Sequence, residues 1–394
     1  MKIAVINSGS SSIKFQLFRM PEGEVLASAH VEKIGQSDSV ITFKYDDKKI
    51  QNKVLMAGHP EGLKEIVNLL KIHNIVEHFS ELDAIGHRVV HGGESFSDAT
   101  LINDAVTAKI KQLIPLAPLH NGANLEGILV SLKKAPNVPQ VAVFDTAFHS
   151  QMPIESYLYP LPYEMYEKHK IRRYGFHGSS HAYVMKEAAK VIGRDSRDLN
   201  LITLHLGNGS SVCAIKDGIS IDTTMGFTPL EGLMMGTRTG DLDPAIVLFM
   251  QRELKYSLQE VDDILNKQSG FLGVCGRIDL REIAMCTDDL CKIAVEMLVR
   301  RIQKYIGAYY AILGHLDAII FTGGIGENAA FIREKVLGKL SLMGIDLDVP
   351  ANDRNAECIS KSTSKVKVLV LRTNEELEIA NECYELIKNK KKTI

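Results

Sequence analysis

The sequence predicts an α/β protein made of two similarly built halves, and three observations support this prediction. Apolar runs of strand length alternate with helical patterns along the chain, as in α/β folds. The turn Asn-Ser-Gly-Ser-Ser-Ser at 7–12 follows an apolar run, and a shortened form, Gly-Asn-Gly-Ser-Ser, follows another at 207–211. With 394 residues, the chain exceeds the size of a single growing core. We therefore expect a central cleft between two halves that holds a phosphoryl substrate.

The first third of the chain predicts strands and then a helix. Apolar residues at 13, 15 and 17 alternate with polar ones, which is the period of a half-buried strand. The other predicted elements are strands at 25–31, 84–90 and 141–144 and a helix at 62–73. The strand at 141–144 ends at Asp145. This carboxylate is therefore expected at the carboxyl end of a strand, where α/β sheets place ligands.

The second half repeats the theme beyond the proline-rich segment 153–162, which predicts a domain boundary. The predicted elements are a hairpin of 199–206 with 211–215, helices at 244–254 and 290–313, and strands at 316–321 and 367–371. Asp243 is expected to cap the first of these helices, with Pro244 at its first position. Thr373 and Glu376 match a capping box that starts the last helix.

The composition is that of an ordinary globular protein. The formal charge of −2 gives no electrostatic reason to expect nucleic acid or an anionic membrane as a partner. No apolar run approaches the roughly 18 residues that span a bilayer. The six cysteines show no C-x-x-C spacing, so we expect a cytoplasmic protein with free thiols.

Three glycine-rich turns, at 8–12, 207–211 and 323–328, each follow an apolar strand. One such turn is a weak signal, because glycine is common in turns. Three of them with small polar neighbours favour phosphate binding. The chain has no G-x-x-x-x-G-K-[ST] pattern, and 323–326 lacks the G-x-G-x-x-G spacing. The sequence therefore argues against a P-loop and against dinucleotide binding.

Three cationic side chains are candidates for binding anions. Arg88 lies where a strand gives way to glycine, and Arg238 lies in the polar loop 236–241. A guanidinium is permanently charged and fork-shaped, which suits carboxylate and phosphoryl oxygens. Lys14 is either a solvated position of an alternating strand or a charge that reaches a nucleotide phosphate.

Histidines spaced four apart, His177 with His181 and His87 with His91, invite a zinc interpretation. Without an H-E-x-x-H motif or a cysteine pair, donation to phosphoryl oxygens is the better hypothesis for His177 and for His120. His205 also fits a core histidine. Glu375 is explained either by the helix dipole or by a bound Mg²⁺.

Together these stretches resemble the acetate kinase family, within the superfamily of duplicated actin-like, Hsp70-like and sugar kinase folds. The segments that carry the resemblance run in family order along almost the whole chain: 7–14, 87–94, 118–121, 144–149, 172–181, 205–211, 236–244, 323–328 and 373–377. The resemblance implies two duplicated, ribonuclease H-like domains. It places one domain at 1–149 plus 374–394 and the other, with the nucleotide base site and a dimer interface, at 150–373.

The resemblance also implies an activity, the reversible transfer of the γ-phosphate of ATP to acetate with Mg²⁺, or Mn²⁺ in its place, to give acetyl phosphate and ADP. By motif, Asn7 and Glu375 would serve the metal, Arg88 would bind the carboxylate, and Asp145, His177 and Arg238 would be catalytic. The acetate would also contact Val90, Leu119, His120, Phe176 and Pro229. The nucleotide would contact Lys14, His205, Leu206, Gly207, Asn208, Gly209, Asp279, Leu280, Arg281, Gly324, Ile325, Gly326, Glu327 and Asn328.

The chain departs from the family pattern near the implied adenosine site, where Cys275 and Ile278 stand among positions that are usually serine. This change bears on base preference. A carboxylate acceptor is already ionised at neutral pH, so Asp145 is expected to position Mg²⁺ or a cation, with proton transfer as the alternative.

Two other functions share most of these features. A propionate or butyrate kinase would differ only in the volume of an apolar pocket, where β-branched Val90 leans toward acetate. A nucleotide-gated binding module like Hsp70 or actin would need no arginine loop at residue 88. The family resemblance implies a homodimer.

Overall fold

A computed structural model of the protein describes residues 1–118 and 120–392. The chain divides into two compact units. The first unit contains residues 1–150 and the chain from 374 onward, and the second contains Gln151–Thr373. Each unit has a sheet and hydrophobic cores of its own. The first unit is therefore discontinuous in sequence.

Strands and helices alternate along the described residues. The strands are β1 (Lys2–Ser8), β2 (Ser12–Arg19), β3 (Glu24–Glu32), β4 (Val40–Tyr45), β5 (Lys48–Lys53), β6 (Ala84–Val89), β7 (Thr100–Leu101), β8 (Gln140–Phe144), β9 (Asn200–Leu206), β10 (Ser210–Lys216), β11 (Ile219–Thr223), β12 (Ala318–Thr322) and β13 (Lys367–Val370). The helices are α1 (His59–Ile72), α2 (Asp104–Gln112), α3 (Asn121–Lys134), α4 (Ile154–Tyr157), α5 (Tyr163–His169), α6 (Gly178–Ile192), α7 (Ala245–Arg252), α8 (Leu258–Lys267), α9 (Gly270–Cys275), α10 (Leu280–Met285), α11 (Asp289–Leu313), α12 (Gly323–Asn328), α13 (Ala330–Leu337), α14 (Val349–Asp353) and α15 (Glu375–Lys392).

The sheet of the first unit has the order β5-β4-β3-β2-β1-β6-β8-β7. Strands β1 to β5 form an antiparallel meander, and β1, β6 and β8 run parallel. In β2, Ile13 and Phe15 are buried whereas Lys14 is exposed, as the alternating pattern predicts. The parallel strands matter for function, because their carboxyl ends meet at one edge of the sheet.

Helix α15 returns from the far end of the sequence to cover β6. A Cβ at Gly86 would lie 2.7 Å from Cys383 Sγ and 2.9 Å from Ile379 Cγ2, so this glycine is what allows the close approach. Its amino end is capped by Asn374, whose side-chain oxygen accepts from Leu377 N at 3.0 Å. The predicted capping box with Thr373 is wrong, because the Thr373 hydroxyl is taken by Ser180 Oγ at 2.8 Å.

The sheet of the second unit has the order β11-β10-β9-β12-β13. Strands β9 and β10 form the predicted hairpin, and β9, β12 and β13 are parallel. The long helix α11 buries Leu298, Ile302 and Ile306 against this sheet's core. Helix α7 begins one residue later than predicted, at Ala245, whose N–H is nevertheless accepted by the Asp243 carboxylate at 2.9 Å.

The expectation that the cysteines are all free thiols is wrong for one pair. Cys286 and Cys291 form a disulfide, and four cysteines are not disulfide-bonded: Cys213, Cys275, Cys358 and Cys383. The pair lies where α10 ends and α11 begins, around a turn capped by Asp288. This turn brings their Cα atoms to 6.2 Å, which is within the range that a disulfide spans.

Candidate active site

The carboxyl edge of the parallel strands in the first unit gathers polar side chains that the sequence analysis singled out. Asn7 is the last residue but one of β1, Arg88 is the last but one of β6, and Asp145 directly follows β8. The register pairs Asn7 with Lys14 across β1 and β2, and side chains of directly opposed residues share one face of a sheet. Asp145 was correctly predicted at the tip of its strand.

Arg88 joins two carboxylates in what we term the carboxylate cluster, Arg88, Asp145 and Glu375. Arg88 Nε and Nη2 donate to Asp145 Oδ1 and Oδ2 at 2.8 and 2.7 Å, a bidentate fork. Arg88 Nη1 lies 3.2 Å from Glu375 Oε2, which the amino end of α15 presents. Among the described residues these bonds use three of the five guanidinium N–H groups, so one on each terminal nitrogen remains.

Burial and charge act against each other in the carboxylate cluster. Burial raises the pKa of the Asp145 carboxyl, Arg88 opposes that rise, and Glu375 adds to it. For the Arg88 guanidinium, burial works to lower the pKa, but Asp145 and Glu375 outweigh it and the net shift is upward. Both fork bonds need an acceptor-only carboxylate. Two carboxylates therefore face one guanidinium in this cluster.

The turn after Arg88 is fixed by backbone hydrogen bonds to side chains. Val90 N donates to Asn124 Oδ1 at 3.1 Å and His91 N donates to Asn121 Oδ1 at 3.0 Å, both from α3. Gly92 N donates to Thr146 Oγ1 at 3.0 Å. Val90 is buried at this turn. Sequence reasoning missed these asparagines, because their partners lie some thirty residues away.

One predicted contact of the acetate, His120, directly precedes α3 at its N-cap position. Leu119 lies outside the described residues. The other two, Phe176 and Pro229, belong to the second unit, where Phe176 is fully buried and Pro229 is half-buried.

The second unit contains a cavity of about 910 Å³ that is built from the predicted glycine turns. This volume lies within the range of small-molecule sites. The cavity is lined by Gly207, Asn208, Ile278, Asp279, Leu280, Arg281, Ala284, Gly324, Ile325, Asn328, Ala329 and Phe331. The lining includes eight of the residues that the resemblance implies for ATP. Ala284, Ala329 and Phe331 were missed, because small and apolar side chains give no signal of their own.

The third glycine turn forms a short helix, α12, that is held from behind. Glu327 does not line the cavity: its Oε1 accepts from Gly323 N at 3.0 Å and from Thr373 N at 3.3 Å. Gly326 O accepts from Arg333 Nη1 at 2.7 Å. Arg333 is fully buried, and burial lowers its pKa to about 10. Glu327 and Arg333 therefore stabilise the turn through its backbone, and the spacing of residues in the sequence predicts neither role.

The stretch that departs from the family pattern splits between the cavity and the core. Ile278 lines the cavity, whereas Cys275 turns to the core and its Sγ lies 3.2 Å from Phe271 O. Asp279 caps α10 through Arg281 N at 2.8 Å, and its carboxylate also pairs with the Arg281 guanidinium. This hydrogen bonding lowers the pKa of Asp279 to about 2. Of these two residues, Ile278 is therefore the one that faces the cavity.

Next to this cavity, His177 and Arg238 converge on Gly209. A Cβ at Gly209 would lie 3.3 Å from His177 Nε2 and 3.5 Å from Arg238 Nη1. Arg238 Nη1 donates to Pro229 O at 3.1 Å, and no carboxylate in the described ranges pairs with it. Burial lowers the pKa of Arg238. A largely buried guanidinium without a counter-ion is a site prepared for an anion.

His177 sits in the left-handed region, with φ 58°, immediately before α6. Its ring stacks on His205 with centroids 4.3 Å apart, and His205 Nδ1 lies 2.8 Å from Ser180 Oγ. His205 is half-buried in β9, so it has both a satisfied core contact and a face toward His177. Within residues 1–118 and 120–392 no three His, Cys, Asp or Glu side chains gather in a way that could hold a metal ion.

The fold and the cavity define the class of protein: two α/β domains of the actin and Hsp70 type, with a cavity of small-molecule size in the second domain. The crystal structure of Porphyromonas gingivalis acetate kinase superposes with a TM-score of 0.93 at 43% identity, covering 98% of this chain and 99% of that one. A propionate kinase from Francisella tularensis gives 0.92 at 43% identity, with coverage of 97% and 98%.

The chain belongs to the acetokinase family, whose model matches residues 2–381. The acetate kinase of Sulfurimonas denitrificans is 61% identical over 98% of this chain and its own full length. That of Campylobacter concisus is 49% identical over 99% of this chain and its own full length. Among the described residues, no helix has the length and apolar character needed to cross a membrane.

Proposed function

We propose that this protein transfers the γ-phosphoryl group of ATP to acetate, reversibly, giving acetyl phosphate and ADP. An acetate oxygen attacks the γ-phosphorus, a new P–O bond forms, and the bond to the β-phosphate oxygen breaks. Acetate is already ionised at neutral pH, so no base is needed to prepare it. Catalysis then depends on aligning two anions and neutralising charge on the moving group.

The observation that carries this proposal is the pair His177 and Arg238 beside Gly209, at the mouth of the glycine turn that lines the cavity. Arg238 holds a positive charge with no described carboxylate to neutralise it. We assign both side chains to the phosphoryl group, where added negative charge in the transition state strengthens their bonds. The adjoining cavity between 207–208, 278–281 and 324–328 would hold the nucleotide, with Lys14 reaching its phosphates.

Arg88 is assigned to the acetate carboxylate. After Asp145 and Glu375 are bound, one N–H remains on each of its two terminal nitrogens. These two donors match the two oxygens of a carboxylate bound in bidentate fashion. Asp145 would then orient Arg88, in line with the expectation that this carboxylate positions a cation. Val90, on the fixed turn next to Arg88, would contact the methyl group together with Leu119, His120, Phe176 and Pro229.

We assign a Mg²⁺ ion, or Mn²⁺ in its place, to Asn7 and Glu375. The residues fit: their side-chain oxygens are hard donors, and the carboxylate of Asp145 lies on the same guanidinium as that of Glu375. Mg²⁺ commonly takes only one or two carboxylates together with phosphate oxygens, so no cage of protein ligands is needed. The metal would supply charge neutralisation for the phosphates.

The activity is tested with hydroxylamine, which traps an acyl phosphate as a hydroxamate. The purified protein is incubated with ATP, Mg²⁺ and acetate, propionate or butyrate in parallel. We expect hydroxamate and equimolar ADP with acetate. ADP release without hydroxamate for any acid would contradict acyl phosphate formation and favour a nucleotide-gated binding module.

Propionate is the second candidate acceptor, because the propionate kinase of F. tularensis matches this chain as closely in structure as the acetate kinase of P. gingivalis does. One methylene in an apolar pocket is worth about 1–3 kcal/mol. The ratio of kcat/KM for acetate and propionate shows which acid is the preferred acceptor, and Val90→Ala should move that ratio toward propionate.

We also propose that two copies associate through the second unit, in the cytoplasm. Helix α7 is almost wholly apolar, yet none of its residues is buried; Ile246, Leu248 and Phe249 are 42, 47 and 55% exposed. We favour a second copy of this chain as the partner that covers α7, since the same apolar helix of two copies can pack together across a two-fold axis. Light scattering should give a dimer that Phe249→Glu disrupts, whereas Leu342→Glu, at an exposed leucine elsewhere, should not. A monomeric wild type would refute the association.

A further inference from the structure

A buried chain of hydrogen bonds leads from the core of the second unit to His177. Ser211 Oγ lies 2.9 Å from His177 Nδ1 and 2.8 Å from His181 Nε2. His181 Nδ1 in turn lies 2.7 Å from Thr203 Oγ1. Ser211, His181 and Thr203 are each 0% exposed. We call these four residues, His177, Ser211, His181 and Thr203, the histidine relay.

The relay residues lie in regular secondary structure. Ser211 lies on β10 and Thr203 on β9, two strands that pair directly, and His181 lies one turn into α6 from His177. The relay therefore links the central hairpin of the sheet to the amino end of a helix. Its far end is Nε2 of His177, the atom that faces Gly209.

Two arrangements let Ser211 link the histidines by donating to one and accepting from the other. The hydroxyl of Ser211 has one proton, so it can donate to only one of them. If it donates to His177 Nδ1, the proton of neutral His177 is on Nε2. His181 Nε2–H then donates to Ser211, and the Thr203 hydroxyl donates to His181 Nδ1. In the reverse arrangement, neutral His177 carries its proton on Nδ1 and has no donor on Nε2.

Arg238 favours a neutral His177, which both arrangements contain. Its Nη1 and His177 Nε2 both reach the space beside Gly209, and Arg238 has no described counter-ion. A second positive charge at His177 would be repelled there. A neutral His177 can still donate to a phosphoryl oxygen, but only as the Nε2–H tautomer.

We propose that Ser211 is a positioning residue for phosphoryl transfer: supported by His181 and Thr203, it holds neutral His177 with the proton on Nε2. The inference rests on the proposed function for the role of that proton, but the tautomer itself does not depend on turnover. Ser211 touches no reacting atom in this scheme. It acts through the ring that does, as the partners of other functional histidines do.

The first test is spectroscopic and needs no substrate. Nitrogen NMR of protein labelled in its histidines distinguishes the two neutral tautomers, and the spectrum of His177→Gln assigns the resonance. We expect Nε2–H in the wild type and a shift toward Nδ1–H in Ser211→Ala. Ser220→Ala, which removes another fully buried hydroxyl of the same sheet, should leave the tautomer unchanged. An unchanged His177 tautomer in Ser211→Ala would overturn the proposal.

The second test separates positioning from folding. Ser211→Ala should lower kcat about 10- to 100-fold while the KM values for ATP and acetate change less than about threefold. If Ser211→Ala does not fold, Thr203→Val takes its place, because it removes the last donor of the relay with little change of shape. We expect the same change with a smaller amplitude. A wild type that forms no hydroxamate would refute the proposed function without touching the tautomer result.

Discussion

Removal of Arg88 should destabilise the fold much more than removal of Arg238, because Arg88 is paired with carboxylates and Arg238 is not. Arg88→Ala leaves buried Asp145 without its fork and Glu375 without its cation. Breaking one partner of a buried pair costs about 3–5 kcal/mol. Arg238→Ala removes a guanidinium whose burial is uncompensated and whose contacts are with Pro229 O and Met235 Sδ. We expect its unfolding free energy to stay within about 1 kcal/mol of the wild type.

Activity should show a different contrast. Arg238→Ala should lower kcat about 10³-fold or more, the scale of an arginine that acts on transition-state charge. This factor corresponds to about 4 kcal/mol of lost stabilisation. Arg88→Ala should mainly raise the KM for acetate and leave nucleotide binding intact.

The assay combines urea unfolding with the hydroxamate reaction for both variants. Arg197→Ala is the matched control, because Arg197 is a surface arginine of the second unit, paired with Asp195; it should change neither property. The reasoning would be refuted if Arg238→Ala lost as much stability as Arg88→Ala, or if it turned over at the wild-type rate.

Three further predictions concern single sites. Burial lowers the pKa of His87 to about 4 in the folded state, from 6.5. Because the unfolded chain binds the proton at a higher pH, the free energy of unfolding should fall by about 3 kcal/mol from pH 6.5 to pH 4. A free energy of unfolding that does not change with pH in the wild type, or the same pH dependence in His87→Gln, would contradict this. Gly209→Ala should lower kcat with ATP affinity kept, since its methyl would press on His177 and Arg238; unchanged kcat would argue against convergence there. Thiol titration of the unfolded protein should find four thiols before reduction and six after it; six at the outset would exclude the disulfide.

Much of the fold follows from local patterns, whereas the corrections come from contacts distant in sequence. The alternation in β2 and the β9–β10 hairpin were predictable from their own residues. Thr373 and Asn374 are both good capping residues, and the choice between them is made by Ser180, nearly two hundred positions away. The disulfide depends on the turn between α10 and α11, which places two cysteines together without a C-x-x-C spacing.

The candidate site divides in the same way. Glycine turns and framed arginines identified Gly207, Arg88 and Arg238 as candidates because small and cationic residues in loops are unusual enough to notice. The absence of a carboxylate beside Arg238 could not be predicted, since it depends on every element packed around it. The role of the Ser211 hydroxyl could not be predicted for a related reason: the second of two serines after Gly209 looks like part of a turn.

The discontinuity of the first unit has a consequence for the order in which the protein is made. A ribosome that has reached residue 373 has added every residue of the second unit but none of α15. At that moment Gly86 and the neighbouring face of β6 still lack α15, and Arg88 lacks Glu375. The first unit therefore waits for the whole second unit to be synthesised before it can be completed, and its uncovered apolar surface is open to chaperones for that time.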